Sequence, residues 1–172
     1  MCPAEAAVPE PRVSIAYFES PIGTIEIRGT DAGVSGLDFV KTKASRRGGT
    51  PKGGLPAPLA EALVELDEYF RGKRRVFTVK LDLGGTAFQR QVWRKLLAVE
   101  FGRTTTYKAL AEAVCRPAST RAVGGANHRN PVSIIVPCHR VVGSDGSLTG
   151  YGGGLWRKEW LLRHEQADLT LS

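Results

Sequence analysis

The chain has 172 residues, 42% of them apolar and 24% charged, with 24 Lys+Arg against 17 Asp+Glu for a formal charge of +7. That length holds one domain or two small ones with a core that needs no staples. No apolar run approaches the ~20 residues of a membrane span, and Cys2, Cys115 and Cys138 make neither a disulfide framework nor a metal-spaced set. Residues 1–11 lack the basic start and apolar centre of a signal peptide. These features predict a soluble protein of a reducing, intracellular compartment. The charge is uneven: residues 85–172 hold 12 Lys+Arg and 6 Asp+Glu, while residues 1–84 hold 12 and 11. A basic half favours a polyanion, most simply nucleic acid, with a solvated basic surface as the alternative.

In chain order, residues 1–11 read as a loose tail. Val13, Ile15 and Tyr17 alternate with Ser14 and Ala16; Ile25 and Ile27 alternate with Thr24, Glu26 and Arg28; Leu37 and Phe39 flank Asp38. Turn residues Pro21-Ile22-Gly23 and Asp31-Ala32-Gly33 separate the three runs, so the pattern is an antiparallel meander with one buried face. Residues 41–58 are basic, rich in Gly and Pro and free of acids, which predicts a loop. Leu59, Leu63, Leu66 and Phe70 recur at helical spacing over 58–71. Phe77, Val79, Leu81 and Leu83 alternate as a strand would, and Gly84-Gly85 marks the boundary between two subdomains, 1–84 and 85–172. The first is a small α+β unit without chemistry of its own.

The second half is mainly helical. Phe88, Val92, Leu96 and Val99 define a helix over 86–98. The hydroxyls of Thr104-Thr105-Thr106 offer a cap for a helix from Tyr107 to Val114. Arg116-Pro117-Ala118 breaks it, and Ser119 or Thr120 opens a third helix from Arg121 towards His128. Helix, break and helix within about 22 residues is the spacing of a helix-turn-helix. The third helix is small-sided, with Ala122, Gly124, Gly125 and Ala126. Each helical Gly costs about 1 kcal/mol relative to Ala, which suits either tight internal packing or a helix pressed against a nucleic-acid groove. Residues 148–154 form a glycine-rich loop that lacks the Lys and Ser/Thr of a phosphate-binding loop. A final helix over 155–163 carries Trp156, Trp160, Leu161 and Leu162 as core.

The most informative stretch is Asn130-Pro131-Val132-Ser133-Ile134-Ile135-Val136-Pro137-Cys138-His139-Arg140. The apolar run Ile134–Val136 passes through the interior, and Pro137 forces a turn or bulge. A thiol beside an imidazole and a guanidinium is a setting that lowers a thiol pKa. A buried Cys packing as a small hydrophobe is the competing possibility.

Pro-Cys-His-Arg, the preceding Asn-Pro and the upstream Arg-Ala-Val-Gly-Gly-Ala together resemble the O6-alkylguanine-DNA alkyltransferases, tightly over 86–165 and by layout before that. The resemblance implies an α+β fold, with a ribonuclease H-like N-terminal subdomain and a C-terminal helix-turn-helix subdomain. It implies single-use DNA repair, in which a methyl or alkyl group moves from O6-alkylguanine, and by extension O4-alkylthymine, to Cys138. His139 would be the base, acting through a bridging water, with Glu165 orienting its other nitrogen. Asn130 would hold the turn, Tyr107 would bond the base and Lys158 would tune the site by its charge. The pocket would include Val141, Tyr151, Gly152 and Ser133. Gly152 stands where some relatives have a serine and Ser133 where some have a proline, which puts reaction with bulky benzyl-type groups in question. Thr104, Thr105, Arg121, Ala122, Gly124, Gly125 and Ala126 would meet the minor groove, with Arg121 filling the gap left by a flipped-out base. The implied protein is a monomer that uses double-stranded DNA and no cofactor or metal, in the cytoplasm or a eukaryotic nucleus. Competing classes are a non-catalytic lesion sensor, a transcription regulator and a Cys-His hydrolase.

Overall fold

The computed structural model describes residues 12–40 and 54–165. The expected basic loop at 41–58 lies outside the described residues except for its end, where Pro56 stands at the start of a helix.

Strands β1 (Ser14–Ser20), β2 (Gly23–Thr30) and β3 (Gly33–Phe39) form the expected antiparallel sheet in order β1-β2-β3. Helix α1 (Ala57–Phe70) covers one face, with Leu59, Ala62, Leu66 and Tyr69 buried against Ile25, Ile27, Val34 and Leu37. A Cβ on Gly29 would come within 2.7 Å of the Leu59 side chain, so this glycine lets the helix approach. The inward face of β1 differs from the sequence reading. Ala16 is buried while Val13 is 60% exposed, and the Tyr17 hydroxyl bonds Glu26 on the outer face. Register decides this: Ala16 pairs with Ile27, whose side chain is in the core.

Residues 77–83 are not a strand. They make a single parallel bridge, between Val34 and Leu81. The amides of Thr78 and Val79 go instead to the buried Glu65 carboxylate at 3.0 and 3.2 Å, so alternation here serves a side-chain acceptor and not a ladder. The rest of that β3 edge is taken by a distant segment: Leu37 N–H donates to Pro131 O (2.8 Å) and Ser133 N–H to Leu37 O (3.0 Å). The first half of the chain thereby holds the segment that leads to Cys138.

Helix α2 (Ala87–Leu97) opens on a capping box between Thr86 and Gln89, and Thr106 caps α3 (Tyr107–Ala113). After a 3₁₀ turn at Pro117–Ser119 comes α4 (Thr120–His128), completing the helix-turn-helix spacing. Trp93 Nε1–H donates to Ala126 O at 2.9 Å and fastens α2 to α4. Two short strands that periodicity could not find, β4 (Thr105–Thr106) and β5 (Val141–Val142), pair in parallel and tie the start of α3 to the chain just after Cys138. Helix α5 (Leu155–His164) buries Leu161 and Leu162, but Trp156 is 54% exposed and is not core. The buried apolar cluster runs without a break from Ala16 to Leu161.

Candidate active site

Asn130 organises the turn. Its Nδ2–H donates to Val136 O (2.7 Å) and its Oδ1 accepts from Val132 N–H (3.0 Å). Residues 134–136 are buried as expected but are not extended. Ile135 N–H reaches back to Ser133 O (2.8 Å) around Ile134, and Cys138 N–H to Val136 O (2.8 Å) around Pro137. Pro137, at φ −81° and ψ 63°, has the geometry of an inverse γ-turn. Ile134 sits at φ +71°, a strained conformation for a β-branched residue. Two three-residue turns in succession fold the strap tightly, and Cys138–Arg140 then form one 3₁₀ turn with all three side chains buried.

Glu165, at the end of α5, collects donors from three parts of the chain: Tyr69, the His139-Arg140 pair, and Gly102, whose N–H donates to Oε2 at 3.4 Å. Its Oε1 accepts from Tyr69 O–H (2.8 Å) and Arg140 Nη2–H (2.9 Å), and lies 2.9 Å from His139 Nε2; its Oε2 accepts from Arg140 Nε–H (2.8 Å). Burial alone would raise the Glu165 pKa, but His139 and Arg140 outweigh it and hold the carboxyl well below the usual range. Burial pushes His139 down, only partly opposed by Glu165, so the imidazole is neutral near pH 7. An ionised carboxylate only accepts, so His139 Nε2 carries the proton. That leaves the lone pair on Nδ1, which is buried and bonds no protein group.

The thiol differs from the sequence expectation. Burial pushes the Cys138 pKa up; the Asn130 side chain, the Lys158 ammonium and the amides of Cys138 and His139 pull it down by less. The neighbouring guanidinium of Arg140 is engaged by Glu165 and does not create a resting thiolate. A neutral thiol beside a neutral imidazole is the ground state near pH 7.

Lys158 is fully buried, with Nζ donating to Val141 O and Thr149 O, both at 2.6 Å. Burial lowers its pKa to about 8, against an opposing pull from Cys138. It joins β5 to the glycine-rich loop and places a positive charge near the sulfur. Burial and the nearness of Cys138 raise the Tyr151 phenol well above its ordinary value, partly offset by Ser133.

A cleft of about 470 Å³ opens onto Cys138, Asn130, Ser133 and Gly152. Tyr107, Val141 and Tyr151, expected in the pocket, are not among its lining residues. Its opposite wall comes from the sheet: Glu26, Arg28, Asp38 and Phe39. Sequence reasoning missed that wall, since its residues read as the solvent face of a meander. Nor did any local signal mark Tyr69, which reads as an ordinary helix residue 96 positions from Glu165. Arg157 was likewise missed; its guanidinium lies 4.5 Å from the ring centres of both Phe39 and Trp156 and donates to Ile22 O (2.7 Å) and Gly153 O (2.6 Å).

On α4, Arg121 and Ala122 are exposed and Gly124 and Gly125 half-buried. A Cβ on Gly124 would meet only the Tyr107 ring, at an ordinary 3.8 Å, so internal packing does not require this glycine. Ala126 is 1% exposed and faces the core, which removes it from the candidate contact surface. Thr104 is exposed and Thr105 half-buried beside this helix pair. Among the described residues no cluster of three or more His, Cys, Asp or Glu could hold a metal, and no helix is long and apolar enough to cross a membrane.

Comparison with known proteins bears on this geometry. Residues 13–83 match the ribonuclease-like domain of 6-O-methylguanine DNA methyltransferase, and residues 87–167 match its DNA-binding domain. A Methanosarcina barkeri protein named methylated-DNA–protein-cysteine methyltransferase is 46% identical over 154 residues, covering 88% of this chain and 96% of the relative. The crystal structure of Mycobacterium tuberculosis O6-methylguanine methyltransferase superposes with a TM-score of 0.79 at 41% identity, covering 93% of this chain and 99% of that one. The Mycobacterium tuberculosis protein solved in complex with DNA gives 0.78 at 39% identity, covering 90% and 92%.

Proposed function

The chain belongs to the 6-O-methylguanine DNA methyltransferase family, and from that premise we propose that it repairs O6-alkylguanine in duplex DNA by a single, irreversible transfer of the alkyl group to Cys138. The activity is that of a methylated-DNA–protein-cysteine methyltransferase, and the biological role is DNA repair by alkyl transfer. The finer reading includes O4-alkylthymine as a second substrate, a base flipped from the minor groove, and a monomeric protein. The relative solved in complex with DNA supports DNA as the partner.

The observation that carries the reading is the pairing of neutral His139, its Nε2–H directed at Glu165 and its Nδ1 free, with Cys138 at the mouth of the cleft. In the proposed reaction the thiol proton passes to Nδ1 through a bridging water. The sulfur attacks the alkyl carbon; the S–C bond forms as the C–O6 bond breaks, and the electron pair goes to the purine. The released guanine takes up one proton. Glu165 stabilises the imidazolium, Lys158 stabilises the developing thiolate, and Tyr107 donates to the departing base. Asn130 holds Cys138 in place. Arg121 at the exposed start of α4 occupies the space the base vacates, and the flanking small residues allow close approach to the groove. The product is a thioether whose sulfur is a poor leaving group, so the protein reacts once.

Mixing equal amounts of protein and a duplex containing O6-methylguanine, followed by peptide mass measurement, tests this. The expected result is one methyl group on the Cys138 peptide and plain guanine in the DNA. Tight lesion binding without mass gain would instead favour a non-catalytic lesion sensor.

A further inference from the structure

The catalytic machinery is drawn from the C-terminal half, yet one of the donors on Glu165 comes from α1. The Tyr69 side chain is fully buried, and its hydroxyl donates to Glu165 Oε1, the same oxygen that receives His139 Nε2–H. The ring is fixed on several sides: edge-on to Phe70, Phe101 and His164, and tilted on Phe77. The α1 backbone is fixed too, because Tyr69 O bonds His164 Nε2 at 2.8 Å, one residue before Glu165. The hydroxyl therefore has a defined position and a single side-chain partner among the bonds described.

We propose that Tyr69 is a positioning residue that sets the basicity of His139 through the carboxylate oxygen they share. This inference rests on the reading of His139 as the base for Cys138. A hydrogen bond to an oxygen withdraws charge from it. With Tyr69 in place, Oε1 divides its acceptor capacity among the phenol, the Arg140 guanidinium and the imidazole. It then stabilises the imidazolium less than a carboxylate free of the phenol does. The imidazole stays neutral at physiological pH, ready to accept the thiol proton, and surrenders it easily once the sulfur has reacted. Other charged or titratable groups near this centre are Arg140 and Cys138 on the 3₁₀ turn, Lys158 and His164 on α5, and Tyr151 on the glycine-rich loop. Of these, Arg140 and Lys158 oppose protonation of His139 and are unchanged by a substitution at Tyr69.

Tyr69→Phe keeps the ring and removes only the hydroxyl. In this variant His139 becomes more basic, and the acid limb of the pH–rate profile for methyl transfer moves up by about half to one pH unit, as loss of one hydrogen bond to the partner carboxylate implies. The imidazole of His139, followed by NMR in the free protein without DNA, moves its titration midpoint in the same direction. Thermal unfolding establishes that the variant is folded. If transfer by Tyr69→Phe falls by the same factor at every pH and the imidazole midpoint does not move, Tyr69 only packs and the proposal is wrong. Failure of the underlying functional reading is separate: it would show as no transfer by the unsubstituted protein.

Discussion

Arg140 and Glu165 lie side by side in the interior, with the guanidinium donating from Nε to Oε2 at 2.8 Å and from Nη2 to Oε1 at 2.9 Å. Both side chains are almost fully removed from solvent. Arg140 also donates to Val99 O at 2.5 Å, so one side chain ties the 3₁₀ turn to the end of α5 and to the segment after α2. A bidentate pair of this kind fixes the carboxylate that His139 leans on.

Removing the arginine leaves that carboxylate buried without its two guanidinium bonds. Arg140→Ala is expected to lower the unfolding free energy by about 3–5 kcal/mol, the usual cost of breaking a buried ion pair from one side. Urea unfolding at pH 7 measures it, and a loss within experimental error would show that the pair is not a structural element.

The same carboxylate gives the protein an acid-sensitive component of stability. Glu165 is held below its unfolded pKa, so its contribution is present above the ordinary glutamate range and is lost as pH falls through the folded value. In that window the unfolded state binds the extra proton. The difference in unfolding free energy between the native protein and Glu165→Gln should therefore shrink as pH is lowered below about 4.3. A constant difference down to acid pH would contradict the assignment.

Two adjacent glycines of the cleft separate by geometry. A Cβ on Gly152 meets nothing within 4 Å, whereas one on Gly153 would lie 2.8 Å from both the Phe39 and Tyr151 rings. Gly152→Ser is expected to change stability by no more than about 0.5 kcal/mol, while adding a hydroxyl to the cleft. Gly153→Ala is expected to cost about 1–3 kcal/mol through displacement of the rings. Thermal unfolding of both variants checks the contrast, and equal effects would mean the loop yields freely.

Cys138→Ala should abolish methyl transfer while binding to a duplex with O6-methylguanine persists, measured by fluorescence anisotropy. Loss of binding as well would assign the cysteine a structural part in holding the 3₁₀ turn.

Under the proposed reading, in which the exposed Arg121 side chain fills the space of a flipped base, Arg121→Ala should slow reaction with duplex DNA far more than reaction with free O6-methylguanine. Native binding should weaken steeply between 50 and 200 mM salt, about as counterion release requires. Equal loss on both substrates, or a flat salt response, would count against the groove assignment.

Periodicity and turn chemistry were enough to place the meander, α1, α2 and the α3–α4 pair. Most of these present an apolar stripe of the right period, closed by Gly, Pro or a hydroxyl cap, whereas in β1 register buries Ala16 and leaves Val13 exposed. The family motifs likewise singled out Asn130, Cys138, His139 and Glu165, three of which lie within ten residues. What failed was wherever partners are distant in sequence. Residues 77–83 alternate like a strand, but the amides of Thr78 and Val79 go to Glu65 on α1, and only the single bridge to Val34 is sheet-like. Ile134–Val136 looks like a core strand but folds through two γ-turns, because Asn130 supplies the bonds a neighbouring strand would have made. The Cys-His-Arg order suggested a lowered thiol pKa; burial reverses the direction, and the arginine is occupied by Glu165. The motifs determined the central groups of the site, Asn130, Cys138, His139 and Glu165, but not the sheet wall of the cleft. Tertiary structure alone decided their protonation and the bond from Tyr69 to Glu165, since both depend on depth from solvent and on contacts spanning up to 96 residues.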